Sequence, residues 1–211
     1  TRAPLVMLAG DACHTHSPNA GQGMNMSMGD AFNLGWKLRA VLTGRAAPAL
    51  LHSYTAERRA AAKSLVDFDH RWSRVVGNRP EGDTDAAMPR VQREFIANGD
   101  FTAGLTVCYE ASALTGAGQH QALATGFPIG MRLHSAPVIR LADAMPMQLG
   151  HVIDADARWR LFLFAGAGDT GQPGAPVAQL CDFLETAEAS PLRRFTRAGE
   201  NIDAAIDVRA V

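Results

Sequence analysis

Residues 10–25, Gly-Asp-Ala-Cys-His-Thr-His-Ser-Pro-Asn-Ala-Gly-Gln-Gly-Met-Asn, constrain this chain more than any other stretch. A short apolar run, Pro4 to Ala9, precedes them, and a long amphipathic segment follows. That order predicts a buried strand, a glycine-rich loop holding one carboxylate, and a helix start. Strand ends and helix N-termini present unpaired N–H groups and partial positive charge, so the arrangement suits a phosphate-bearing or electron-rich cofactor.

The segment resembles the second flavin-binding motif of the single-component FAD-dependent aromatic hydroxylases, the phenol 2-monooxygenase and 3-hydroxybenzoate 4-monooxygenase group. The matching residues are Gly10-Asp11-Ala12, His14, His16-Ser17-Pro18, Gly21-Gln22-Gly23-Met24-Asn25, Asp30-Ala31, Asn33-Leu34 and Trp36-Lys37-Leu38. The resemblance implies FAD as cofactor. It implies that Asp11 holds a ribityl hydroxyl, that Gly21, Gln22, Gly23, Met24 and Asn25 lie against the polar edge of the isoalloxazine, and that Pro18 borders its reactive face. It also implies hydroxylation of a phenolic ring, with NADPH or NADH reducing the flavin and O₂ captured as a C4a-hydroperoxide. No catalytic residue is assigned within this stretch. The general base and most of the substrate pocket are expected upstream of Thr1.

Elementary chemistry supports the same roles. A carboxylate beside sugar-like hydroxyls accepts charge-assisted hydrogen bonds. Glycines at 21 and 23 let the backbone approach a flat ring. A helix starting near Met24 aims its positive end at the locus where reduced flavin carries negative charge.

Gly21-Gln22-Gly23 runs into Met24-Asn25-Met26, so this loop lacks the third glycine of the dinucleotide fingerprint Gly-x-Gly-x-x-Gly. The chain reads as an internal piece of a longer enzyme. A net charge of −1 argues against nucleic acid as the main partner. No apolar run reaches the roughly 18 residues of a membrane span. Three cysteines without a Cys-x-x-Cys fit a reducing cytoplasm.

The expected fold class is α/β: the C-terminal part of an FAD-binding, Rossmann-like hydroxylase domain (residues 1–115), a linker (116–126) and a partial thioredoxin-like domain (127–211). Apolar spacing predicts a helix over 24–43, stopped by Gly44, with Met28, Ala31, Leu34, Leu38 and Val41 facing a core and Gly29, Ala31 and Gly35 packing on a sheet. Pro48 opens a second helix with Leu51, Tyr54, Ala61, Leu65, Phe68, Trp72 and Val75 inward. Its outer face carries Glu57, Arg58, Arg59 and Lys63. A loop is expected over 79–89, a short helix over 91–101, and helical continuation over 105–114. Strands are expected at 138–141, 147–152, 159–164 and 206–211, and a helix at 177–187. The resemblance extends to the C-terminal part, from Gly126-Phe127 through Ser135-Ala136-Pro137-Val138, and implies a homodimer contact rather than redox chemistry.

His14 and His16 with Asp11 invite a metal-dependent hydrolase, but no further ligand has sensible spacing, so hydrogen bonds that shape the loop are the preferred reading. Cys13, Met24, Met26 and Met28 are expected in the core, and Lys37, Arg58 and Arg59 on solvated faces. The remaining alternative is a non-catalytic dimerisation module built on residues 127–211.

Overall fold

The computed structural model describes residues 4–77 and 84–211. It divides into two compact units, Thr1–His134 and Ser135–Val211.

The first unit is helical. Residues 4–9 form no strand: Ala9 is extended, but the run pairs with no other segment among the described residues, and Leu5, Val6 and Leu8 are exposed. An apolar β-prone run becomes a strand only where a neighbour accepts its backbone hydrogen bonds. The loop that follows is a 3-10 turn (Gly10–Ala12), an extended stretch and a second turn (Pro18–Ala20) ending at Gly21.

Helix α1 spans Gly23–Leu42 and ends over Thr43 and Gly44. Its buried face is not the apolar stripe that the periodicity predicts. Asp30, Asn33 and Lys37 are buried, whereas Met28 and Ala31 are exposed and Leu34, Leu38 and Val41 only half-buried. Three- and four-residue steps place Asp30, Asn33 and Lys37 on one side, and each finds a polar partner there, which removes the penalty of burying them. Met24 is exposed as well, and Met26 only half-buried, so the methionines do not form a core. Cys13 is also exposed.

After a 3-10 turn at Pro48–Leu51, helix α2 runs His52–Gly77. Leu51, Tyr54, Ala61, Leu65 and Phe68 are buried as the spacing predicts. Glu57 and Arg58, expected on the solvated face, are buried too, at the α1 interface. Gly29 packs there against the Arg58 guanidinium rather than against a sheet. Phe68 stacks on Trp72 and meets Phe101, their ring centroids 6.0 and 4.7 Å away.

Helix α3 (Thr84–Ala97) occupies residues expected as loop over 84–89, with Pro89 in its second turn; the rest of that loop, 79–83, lies outside the described residues. A break at Asn98 leads to the short α4 (Gly99–Thr102). The expected helix over 105–114 is absent. Cys108 instead bridges to Met131 in antiparallel fashion, and the Tyr109 N–H donates to the Gly130 carbonyl. Residues 116–126 are turns with a 3-10 segment at Gln121–Leu123.

The second unit holds a hairpin, β1 (Pro137–Arg140) with β2 (Met145–Gln148), in register Pro137 to Gln148. The strand expected over 147–152 stops at Gln148, where a 3-10 turn (Leu149–Val152) buries Leu149. Strand β3 (Trp159–Leu163) pairs in parallel with β4 (Ile206–Ala210). Parallel pairing requires a crossover, supplied by α5 (Pro176–Thr186) and α6 (Pro191–Phe195). Leu163, Ala175, Leu184 and Leu192 fill this core, and the buried Ser190 hydroxyl donates to the Leu184 carbonyl. Asp207, on β4, is paired with Arg160 and Arg209.

Candidate functional site

The loop over residues 8–19 has little apolar substance of its own, and buried side chains of α1 and α2 hold it. The Tyr54 hydroxyl donates to the Leu8 carbonyl at 2.6 Å, and the Trp72 indole N–H to the Asn19 carbonyl at 3.2 Å. Asp69 accepts both the backbone N–H and the hydroxyl of Ser17.

Asp30 is the hub. Its Oδ2 accepts the Gly10 N–H at 2.9 Å and the His14 Nε2–H at 2.7 Å, and its Oδ1 accepts the Arg58 Nε–H at 2.6 Å. Burial alone would raise this carboxyl. The hydrogen bonds from Arg58, His14 and Gly10, with the Arg58 charge, outweigh it and hold the group below the usual carboxylate range. Arg58 also reaches the Tyr109 hydroxyl and the carbonyl and sulfur of Met26. Beyond it, Lys37 donates to Asn33 and Glu57 at 2.8 and 2.7 Å. Burial pulls the Lys37 ammonium down, against the opposing pull of Glu57.

This frame shapes an open cavity of about 450 Å³, lined by Asp11, Thr15, His16, Ser17, Pro18, Gly21, Gly23, Met24 and Ser27. Five of the seven residues expected to touch cofactor therefore share one concavity. Gln22 and Asn25 do not line it; the Asn25 amide donates to the Gln22 side chain instead. Thr15, His16, Ser17 and Ser27 line it as well, although the motif reading assigned them no cofactor contact. The Asp11 carboxylate has no hydrogen-bond partner among the described residues. Gly21 and Gly23 bring the N-terminus of α1 to the wall, and no side chain caps that helix. His16 donates through Nδ1 to the His14 carbonyl at 2.9 Å, so its Nε2 is left as an acceptor. A Cβ on Gly23 would lie 2.3 Å from that Nε2, so any other residue there must push the His16 ring aside.

Such a wall fits the polyol and ring edge of a flavin. It offers one unspent carboxylate for hydroxyls, helix-terminal N–H groups for an electron-rich edge, and backbone close enough for a planar group. A metal ion fits less well. Ligand atoms of Asp11, His14 and His16 lie within 4.8 Å of one another, as do those of Cys13, His14 and Asp30. Asp30, however, is saturated by three donors beside the Arg58 cation, which disfavours a divalent ion. Burial, followed by the nearby Asp30 charge, pushes the Cys13 thiol up, away from the thiolate a metal needs.

A second cavity, about 620 Å³, lies in the second unit between the end of β3 and the start of α5. There the Asp169 carboxylate accepts the Val177 N–H at 3.0 Å, so the helix start already has its anion.

Comparison with known proteins gives a consistent picture. Residues 2–69 match the FAD binding domain family, and residues 107–211 match the phenol hydroxylase C-terminal dimerisation domain. The chain is 54% identical to 3-hydroxybenzoate 4-monooxygenase of Comamonas testosteroni over 99% of its length, covering 33% of that protein. It is 40% identical to a phenol 2-monooxygenase of Aspergillus fumigatus over 85% of its length, covering 30% of that protein. Among solved structures, the anhydrotetracycline hydroxylase OxyS of Streptomyces rimosus aligns with a TM-score of 0.63 at 27% identity, over 97% of this chain and 35% of the other. The chain thus spans about a third of the length of the curated relatives it matches. In order along one polypeptide, the chain carries a match to the FAD binding domain family and a match to the phenol hydroxylase C-terminal dimerisation domain.

Proposed function

We propose that this chain forms part of a flavoprotein monooxygenase that hydroxylates a phenolic ring with O₂ and NADPH or NADH. The observation carrying the proposal is the unspent Asp11 carboxylate, on a cavity it shares with Pro18, Gly21, Gly23 and the start of α1, inside the stretch matched by the FAD binding domain. FAD supplies the redox and oxygen chemistry when bound. This chain's residues bind and orient it: Asp11 accepts ribityl hydroxyls, the Gly21–Met24 turn lies along the polar ring edge, and Pro18 stands at the reactive face. Gln22 and Asn25 reach the ring through backbone or after rotation of their side chains. The 54% identity to 3-hydroxybenzoate 4-monooxygenase favours a hydroxybenzoate over unsubstituted phenol.

For the second unit the reading is a thioredoxin-like piece in a homodimer contact, supported by the β3–α5–α6–β4 parallel crossover and by the dimerisation family matched over 107–211. Its cysteine, Cys181, lies exposed on α5 without a second cysteine in Cys-x-x-Cys spacing. The three free thiols suit the cytoplasm, and no helix among the described residues is long and apolar enough to cross a membrane.

The test is turnover by the intact enzyme that contains this segment. Aromatic substrates are screened for stimulation of NAD(P)H oxidation, with the hydroxylated product identified. Product formed from 3-hydroxybenzoate supports the proposal; no flavin and no turnover across hydroxybenzoates and phenols contradicts it.

A further inference from the structure

We propose that Asp30 is a positioning residue for the cofactor loop, acting through Gly10 and His14 on Asp11. The inference rests on the FAD reading above. Asp30 cannot itself meet a ligand. It is 1% exposed, and its oxygens are taken by Arg58, His14 and Gly10. What it does is fasten both ends of the 10–14 loop to one oxygen, since Gly10 N–H and His14 Nε2–H both reach Oδ2. Asp11 sits between these two attachments.

Asp11's side chain makes no hydrogen bond of its own among the described residues, so the backbone that carries it is what the loop can place. Gly10 has φ +66°, a conformation costly for other residues, and a Cβ there would lie 3.2 Å from the Ser27 hydroxyl. Gly10, the residue before Asp11, is therefore held in this conformation directly against Ser27 of α1, with Asp30 accepting the Gly10 N–H. Arg58 completes the clamp by fixing the other oxygen and neutralising its charge. A carboxylate that must meet particular hydroxyls gains affinity from being held in place beforehand.

The experiment uses the intact enzyme and reads FAD dissociation constants by flavin fluorescence, beside melting temperatures of the apoprotein. Asp30→Asn and Arg58→Lys should each weaken FAD binding by about tenfold or more, the scale on which outer partners of metal-binding side chains act. The variant Lys37→Met, which leaves Glu57 unpaired in the same helix interface without touching the loop, should lower the melting temperature but leave FAD affinity as in wild type. If Asp30→Asn does not accumulate, Arg58→Lys carries the test. The inference is overturned if Asp30→Asn or Arg58→Lys binds FAD normally while Asp11→Ala does not, or if affinity follows melting temperature equally in all variants. Unchanged affinity in Asp11→Ala overturns the cofactor reading beneath it, and the inference with it.

Discussion

The Lys37 ammonium lies 2.7 Å from the Glu57 carboxylate between α1 and α2, with the lysine wholly buried and the Asn33 side chain bonded to both. Removing one member leaves the other charged and unpaired in the interior. Lys37→Met should cost about 3–5 kcal/mol, whereas Lys37→Met/Glu57→Leu should cost far less. Urea titration of both variants checks this; equal losses would mean that the pair is solvated.

Asp69 governs the second half of the cofactor loop. Asp69→Ala leaves the Ser17 N–H and hydroxyl without their acceptor, at about 1–3 kcal/mol. The loss should be local: amide exchange accelerates at Ser17 and its neighbours, while protection in the middle of α2 is kept. Uniform acceleration along α2 would show instead that Asp69 supports the helix as a whole.

Acid should weaken both units for the same reason. Asp30 and Asp156 are each held below the usual carboxylate value, Asp156 chiefly by Arg160 with help from Arg158. An unfolded aspartate titrates near about 3.9, so between that value and the lower folded one the unfolded chain binds more protons. The stabilisation is complete above about pH 5 and fades as pH falls through the folded values. Arg160→Gln should lower stability at pH 6 and flatten the acid limb of the second unit. An unchanged slope in melting temperature against pH would rule out this pair as its cause.

Gly23→Ala tests the close approach at the cavity wall. The added methyl meets the His16 ring at Nε2, which must shift to make room. In the intact enzyme the variant should fold but retain less flavin per polypeptide, with Gly23→Val worse. Normal flavin content in both would show that the wall yields without consequence.

The helices were largely legible because their signals are local. Pro48, the Leu51–Phe68 spacing and Gly44 set α2 and the end of α1. The interior of the site was not. Lys37 and Arg58 read as surface cations because a sequence shows a charge without its partner, and their partners, Glu57 and Asp30, lie 20 and 28 residues away. A usable signal was present: Asp30, Asn33 and Lys37 share one face of α1, and Glu57-Arg58 stand side by side on α2 with complementary charge. Pro4–Ala9 shows the converse, an apolar run whose strand character depends on a neighbour that local spacing cannot supply.

The central claim is that Asp11, held in place by the loop, takes hold of FAD. Its most direct measurement is the flavin content and FAD dissociation constant of the intact enzyme, wild type against Asp11→Ala. The account predicts a yellow wild-type protein with near-stoichiometric FAD, and an Asp11→Ala protein with the same fold but markedly weaker binding. Equal FAD affinity in the two proteins would contradict it.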